Sequence, residues 1–262
     1  MRWITQLTGN LLAKYLTTPL KRTTPHYATI SQEMLNATLE PADVLLVEGN
    51  TRLSIPIKYL TQSSWSHAAI YVGHEALPTR EAWQMPLVLV EADLIEGVHA
   101  VTLAHYAQLN TRICRPAGLD AKDRQRVVDF VINRIGYRYD LKNMLDLARY
   151  LFPLVPVPTR YRRRMLALGS GDPSRAICST LIAQAFQSVS YPILPEIERE
   201  WLNDPQCADC YAEIYHIRNH NLFTPRDFDI SPFFDIIKPT IRNGFDYRAI
   251  AWKESHNESN FS

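Results

Sequence analysis

A cysteine on a helix, a histidine on a strand and a carboxylate in an apolar strand are the side chains whose chemistry fits together in this sequence. Cys178 lies in Ile177-Cys178-Ser179-Thr180-Leu181-Ile182-Ala183, shortly after the helix-starting signal Asp172-Pro173-Ser174. The partial positive charge of a helix start stabilises a thiolate, and its free N–H groups can hold an oxyanion. A thiolate also needs a base that takes its proton and later protonates the leaving group. Among eight histidines, His67 suits best: Ser66-His67-Ala68-Ala69-Ile70-Tyr71-Val72 is a strand with small neighbours, and the other seven read as loop or surface residues. A third group must accept the second imidazole N–H. Glu91 sits inside Leu87-Val88-Leu89-Val90-Glu91-Ala92, where an unpaired carboxylate would be costly, and Asp93 is the runner-up on the same face. Taken singly, a helical Cys and a strand His are more often structural than reactive.

A second set of residues competes for attention. Cys207-Ala208-Asp209-Cys210 followed by His216 and His220 offers four zinc-type ligands. Only five residues separate Cys210 from His216, far fewer than in zinc fingers. The expectation is therefore a surface loop with incidental thiols, with structural zinc as the weaker alternative, and no metal or other cofactor is assigned.

The elements around these residues form a strand-rich first half and a helical second half. Val44–Val47 is a buried strand, Arg52–Leu60 a helix with Pro56 in its first turn or bending it, and Ser66–Val72 a second strand. Strands follow at 87–92, 98–103 and 112–115 with no helix between them, which suggests an antiparallel sheet. Asp120 caps a helix to about Ile135, placing Val127, Val128, Val131, Ile132 and Ile135 on one face. A further helix is expected at 142–151, then an Arg160–Arg164 basic cluster, read as a solvated face, then the Cys178 helix to about Ser188. Strands followed by helices read as α+β. The tail at 224–234 is expected to pack back over the domain without assigned chemistry.

Bulk properties exclude several classes. A chain of 262 residues, 46% hydrophobic and 21% charged, can bury a sizeable core, and its formal net charge of +1 provides no field for nucleic acid. Four cysteines are too few for a disulfide scaffold, and no signal peptide or spanning segment is visible, so a cytoplasmic setting is expected. Residues 1–30 contain no Asp or Glu, and 2–16 carry apolar residues near the helical period. Such a basic amphipathic helix either packs on the main domain or lies on an anionic membrane surface.

Three blocks carry a resemblance: Pro41-Ala42-Asp43-Val44-Leu45-Leu46-Val47, the stretch from Leu60 through Ser66-His67-Ala68 to Gly73, and Ile177–Ala183. Together, over Pro41 to Ser188, the chain resembles the permuted papain-like amidases related to NlpC-type cell-wall hydrolases, particularly their YiiX-like branch. In ordinary papain-like enzymes the Cys helix precedes the His strand; here the His block comes first. The resemblance implies a circularly permuted papain-like fold of class α+β, its antiparallel sheet packed against helices that include the nucleophile helix. It implies one such domain over 31–262, with a C-terminal extension from about 190. It further implies Cys178 as nucleophile, His67 as base and Glu91 as the orienting group, with Tyr139 in Gly136-Tyr137-Arg138-Tyr139-Asp140 on the oxyanion side. The implied activity is cleavage of an amide in a peptide-like or N-acylated substrate through a thioester. Alternatives are a lipid acyltransferase or phospholipase at a membrane surface, and a non-catalytic papain-like binding module. The missing export signal separates the chain from secreted cell-wall hydrolases.

Overall fold

The run Val44-Leu45-Leu46-Val47 has no polar face, so it demands cover on both sides, and the chain provides it by making this strand central. The computed structural model describes residues 14–20, 28–77, 86–93, 95–138, 177–201 and 211–251. Helix α1 (Gln32–Thr38) precedes strand β1 (Val44–Val47), helix α2 (Ser54–Thr61) and strand β2 (His67–Tyr71). Strands β3 (Leu87–Asp93), β4 (Gly97–Thr102) and β5 (Thr111–Pro116) follow, with a 3₁₀ turn at Leu103–Tyr106 between the last two. Then come α3 (Ala121–Ile132), α4 (Ile177–Gln187), the hairpin β6 (Glu196–Trp201) and β7 (Tyr211–His216), α5 (Pro225–Asp229) and β8 (Phe234–Ile237). The main sheet has the order β4-β3-β2-β1-β5-β8, and every neighbouring pair is antiparallel. Helices mixed with an antiparallel sheet are the class expected from the sequence.

The strands divide the core in two. Leu46, Ala68, Ile70 and Val90 share one cluster with Leu181, Ile182 and Phe186 of α4 and Val127, Val128 and Val131 of α3. Leu45, Val47, Ala69, Tyr71 and Leu89 share the other with Leu35, Leu39, Leu103 and Tyr106. Each fully buried Leu, Ile or Phe stabilises by about 1.5–3 kcal/mol, so three of them hold α4 firmly against the sheet.

The structure corrects several details. Helix α3 ends at Ile132, and Ile135 lies beyond it with 36% of its surface exposed. The chain turns there because Gly136, at φ 91°, donates its N–H to the Val98 carbonyl and ties the helix end to β4. The tail is not merely laid over the domain: β8 extends the sheet by pairing with β5. Asp229 of α5 accepts from Arg112 Nη1 at 2.5 Å and from Trp65 Nε1 at 3.1 Å, clamping the loop that enters β2. The hairpin β6–β7 was not expected. The helix at 142–151 and the arginine cluster lie outside the described residues. Of the N-terminal segment, Leu16 is wholly buried in the first core cluster and Arg52 donates to Tyr15 Oη at 2.8 Å. No helix among the described residues is long and apolar enough to cross a membrane.

One polar pair sits inside this core. Asp43, at the entry to β1, is wholly buried and takes two bonds from Arg115 of β5, from Nε at 2.8 Å and from Nη2 at 2.7 Å. Arg115 also donates to the Thr38 carbonyl at 2.7 Å, joining α1 to the sheet. Removing one member of a buried pair leaves the other charge unpaired. Arg115→Leu should therefore destabilise the fold by about 3–5 kcal/mol in urea unfolding, far beyond an exposed arginine such as Arg126.

Candidate active site

Small residues and a close backbone approach set the entry to β2. Gly49 donates its N–H to Ser66 Oγ at 3.1 Å, and a Cβ at Gly49 would lie 2.5 Å from Ser54 Oγ and 2.7 Å from Ser66 Oγ. Only glycine permits that approach. The next residue, His67, opens β2 opposite Val47. Alternation along the strand puts its side chain on the face of Ala69 and Tyr71. Glu91 of β3 alternates with Leu89, the cross-strand partner of Tyr71, and so lies on that face too.

His67 and Glu91 meet there, Nε2 to Oε2, at 2.6 Å. Nδ1 is then the ring nitrogen left for the thiol. Cys178, second residue of α4, belongs to the opposite core cluster with Ala68 and is 4% exposed. His67 stands at the first position of its strand, bonds Glu91, and lies close enough to Cys178 for each to shift the other's proton affinity.

Electrostatics follow from this contact. Burial pushes the Cys178 thiol up, but the charge and hydrogen bond of His67, the Ala68 backbone and Ser179 together bring it below its ordinary value. Cys114, equally buried but on β5 without such a partner, is pushed far upward by burial. Burial disfavours the charged imidazole of His67; Cys178 and Glu91 outweigh that and raise it well above its ordinary value. Burial likewise acts against the Glu91 carboxylate, yet His67 and His99 hold it well below the usual carboxylate range. Both shifts run in the direction of a thiolate beside an imidazolium.

Three side chains here escaped the sequence reading. Tyr106 Oη donates to Glu91 Oε2 from the 3₁₀ turn, and its ring lies 6.1 Å from that of His67. His99 of β4, directly across from Glu91 in register, places Nε2 3.0 Å from Oε1. His105 Nε2 stands 3.9 Å from the same oxygen. His99 is therefore a site residue and not a surface histidine. Its position in the apolar stretch Val98-His99-Ala100 was the available signal, the one that had singled out Glu91. Asp93 is excluded as the His67 partner, because its Oδ1 accepts the N–H groups of Ile95 (2.8 Å) and Glu96 (2.6 Å) in the β3–β4 turn.

Glu91, Asp93 and His99 each place one donor atom within 4.8 Å of the others. Glu91 faces His67 and His99, and Asp93 Oδ1 accepts the N–H groups of Ile95 and Glu96; we assign no metal to this cluster. Of the zinc quartet, Cys207 and Cys210 lie outside the described residues. His216 ends β7 and meets Glu198 Oε2 at 2.9 Å, while His220 begins a separate 3₁₀ turn. Tyr139 and the helix-start signal at 172–174 also lie outside the described residues.

Residues 38–156 match the family described as permuted papain-like amidase enzyme, YaeF/YiiX, C92 family. The family read from the sequence is the family that matches. The match spans somewhat under half of the chain; it contains His67 and Glu91 and ends before Cys178. No curated protein matches the sequence. Among solved structures, the crystal structure of metalloprotein yiiX from Escherichia coli O157:H7 is similar at 13% identity and a TM-score of 0.44, covering 76% of this chain and 96% of that one.

The Glu91 charge supports the His67 imidazolium, which in turn supports the thiolate. Glu91→Gln should lower the His67 pKa and raise that of Cys178, moving the midpoint of Cys178 alkylation by iodoacetamide upward by roughly one to two pH units. Alkylation followed by mass spectrometry across pH 4–10 checks this.

Proposed function

We propose that this chain is a cysteine hydrolase that cleaves an amide in a peptide-like or N-acylated substrate, on a permuted papain-like fold. The contact of Cys178, His67 and Glu91 carries the reading, since a thiol, a base and a buried orienting carboxylate are brought together from three separate elements. The family match supports amide chemistry.

The Cys178 thiolate attacks the acyl carbonyl, forming an S–C bond while the carbonyl π electrons move to oxygen. Backbone N–H groups in the first turn of α4 hold that oxyanion. His67, protonated at the nitrogen facing the thiol, gives its proton to the leaving amine as the C–N bond breaks. A thioester remains. Neutral His67 then takes a proton from water, whose oxygen attacks the thioester; the C–S bond breaks and Cys178 returns as thiolate with His67 protonated. Glu91, accepting from Nε2, keeps the other nitrogen aimed at these transfers.

Incubation with activated esters and acyl-amides should give an acyl adduct on Cys178 by intact-mass spectrometry. Cys178→Ala should abolish the adduct, and His67→Ala should slow acylation on the order of 10³-fold or more. Absence of any adduct, with Cys178 titrating as an ordinary thiol, would overturn the proposal.

A further inference from the structure

We infer that His99 is a positioning residue of this site: held as an imidazolium, it fixes the free oxygen of Glu91 and offsets its charge, so that Glu91 orients His67 without locking it in the protonated state. The inference rests on the thiol–imidazole reading above and extends it to a second histidine.

Geometry carries the argument. Glu91 is 4% exposed, and its two oxygens are divided between two sides. Oε2 accepts from His67 Nε2 and Tyr106 Oη; Oε1 lies 3.0 Å from His99 Nε2, at ion-pair distance. The other His99 nitrogen, Nδ1, stands 3.1 Å from the Gly97 carbonyl oxygen. A carbonyl and a carboxylate both repel a bare ring nitrogen, so each His99 nitrogen must carry a proton for both approaches to be favourable. The ring that satisfies this arrangement is the imidazolium. Its charged surroundings agree: Asp93 of β3 acts on it, and Glu96 Oε2 of the β3–β4 turn lies 3.7 Å away, while His105 approaches Glu91 from the 3₁₀ turn and His67 from β2. Hydrogen bonding to Glu91 raises His99 to about 9 against the opposing effect of burial.

The consequence concerns His67. A base that is to give and take a proton near neutrality loses turnover if a bare buried carboxylate holds it charged. A second cation on the same carboxylate weakens that hold while leaving the hydrogen bond, and hence the ring orientation, intact. His99→Gln separates charge from position, because a glutamine N–H can still donate to Oε1. His99→Ala removes both.

Iodoacetamide alkylation of Cys178 reads the pair without any substrate. In His99→Gln the Glu91 charge is no longer offset, so His67 should hold its proton more tightly and the midpoint of Cys178 alkylation should move downward, opposite to its shift in Glu91→Gln. In His99→Ala, Glu91 loses a fixing contact, and the alkylation rate at pH 7 should fall. Nitrogen-15 NMR of the full chain carrying Cys178→Ala, with labelled histidine, should show His99 protonated at both nitrogens at pH 7. A neutral His99 there, or a His99→Gln profile superimposed on that of the unaltered protein, overturns this inference and leaves the function intact. An unperturbed thiol in the unaltered protein overturns both.

Discussion

One buried carboxylate organises the site. Glu91 sits in a strand whose neighbours are Val90 and Ala92, both buried, and an unpaired charge there would be driven to protonate. It stays ionised because donors arrive from three other elements: His67 from β2, His99 from β4 and Tyr106 from the 3₁₀ turn. The His67 ring, held by the carboxylate, also lies near enough to Cys178 to shift its proton affinity.

That reach depends on where His67 stands along its strand. Deeper in β2, a side chain belongs wholly to one face: Ala68 and Ile70 to the cluster under α4, Ala69 and Tyr71 to the other. At the first position, by contrast, the ring that bonds Glu91 also influences Cys178, which belongs to the other cluster. The approach is fixed from outside as well. Ser66 is held by Gly49, and Trp65 by Asp229, which also grips Arg112 while the Arg112 guanidinium lies 4.9 Å over the Trp65 ring. A residue from the far C-terminal part of the chain therefore helps aim the histidine.

Much of this was legible in the sequence, for a physical reason in each case. The apolar run at Val44–Val47 and the alternation after His67 announce strands by themselves, and Asp120 caps its helix through a bond to the Asp123 N–H at 2.7 Å. Glu91 stood out because a charge in an apolar strand needs a partner. His99 met the same criterion and was passed over, since a histidine can be neutral and its burial raises no comparable demand. Tyr106 could not be read at all: nothing local says that a short turn will swing its hydroxyl onto a carboxylate. Strand β8 was hidden because Phe234-Asp235-Ile236-Ile237 is short and follows the Ser231-Pro232-Phe233 turn, so its pairing with β5 is a tertiary fact. Ile135 was misplaced because helical period continued past the point where Gly136 turns the chain.

The arrangement also ties the site to the stability of the fold, in opposite senses for its two charges. Glu91 is held below its ordinary value of 4.5, so its contribution is present above that pH and is lost as acid protonates it in the folded state. His99 is held above its ordinary value of 6.5, so its contribution is complete below that pH and is lost as pH rises through about 9. Between these limits both groups are charged and each stabilises the other. The two limits act on His67 in opposite senses: a protonated Glu91 no longer offers it a negative charge, whereas a neutral His99 leaves the Glu91 charge without an opposing cation. Both contributions thus rest on a single carboxylate shared by two histidines.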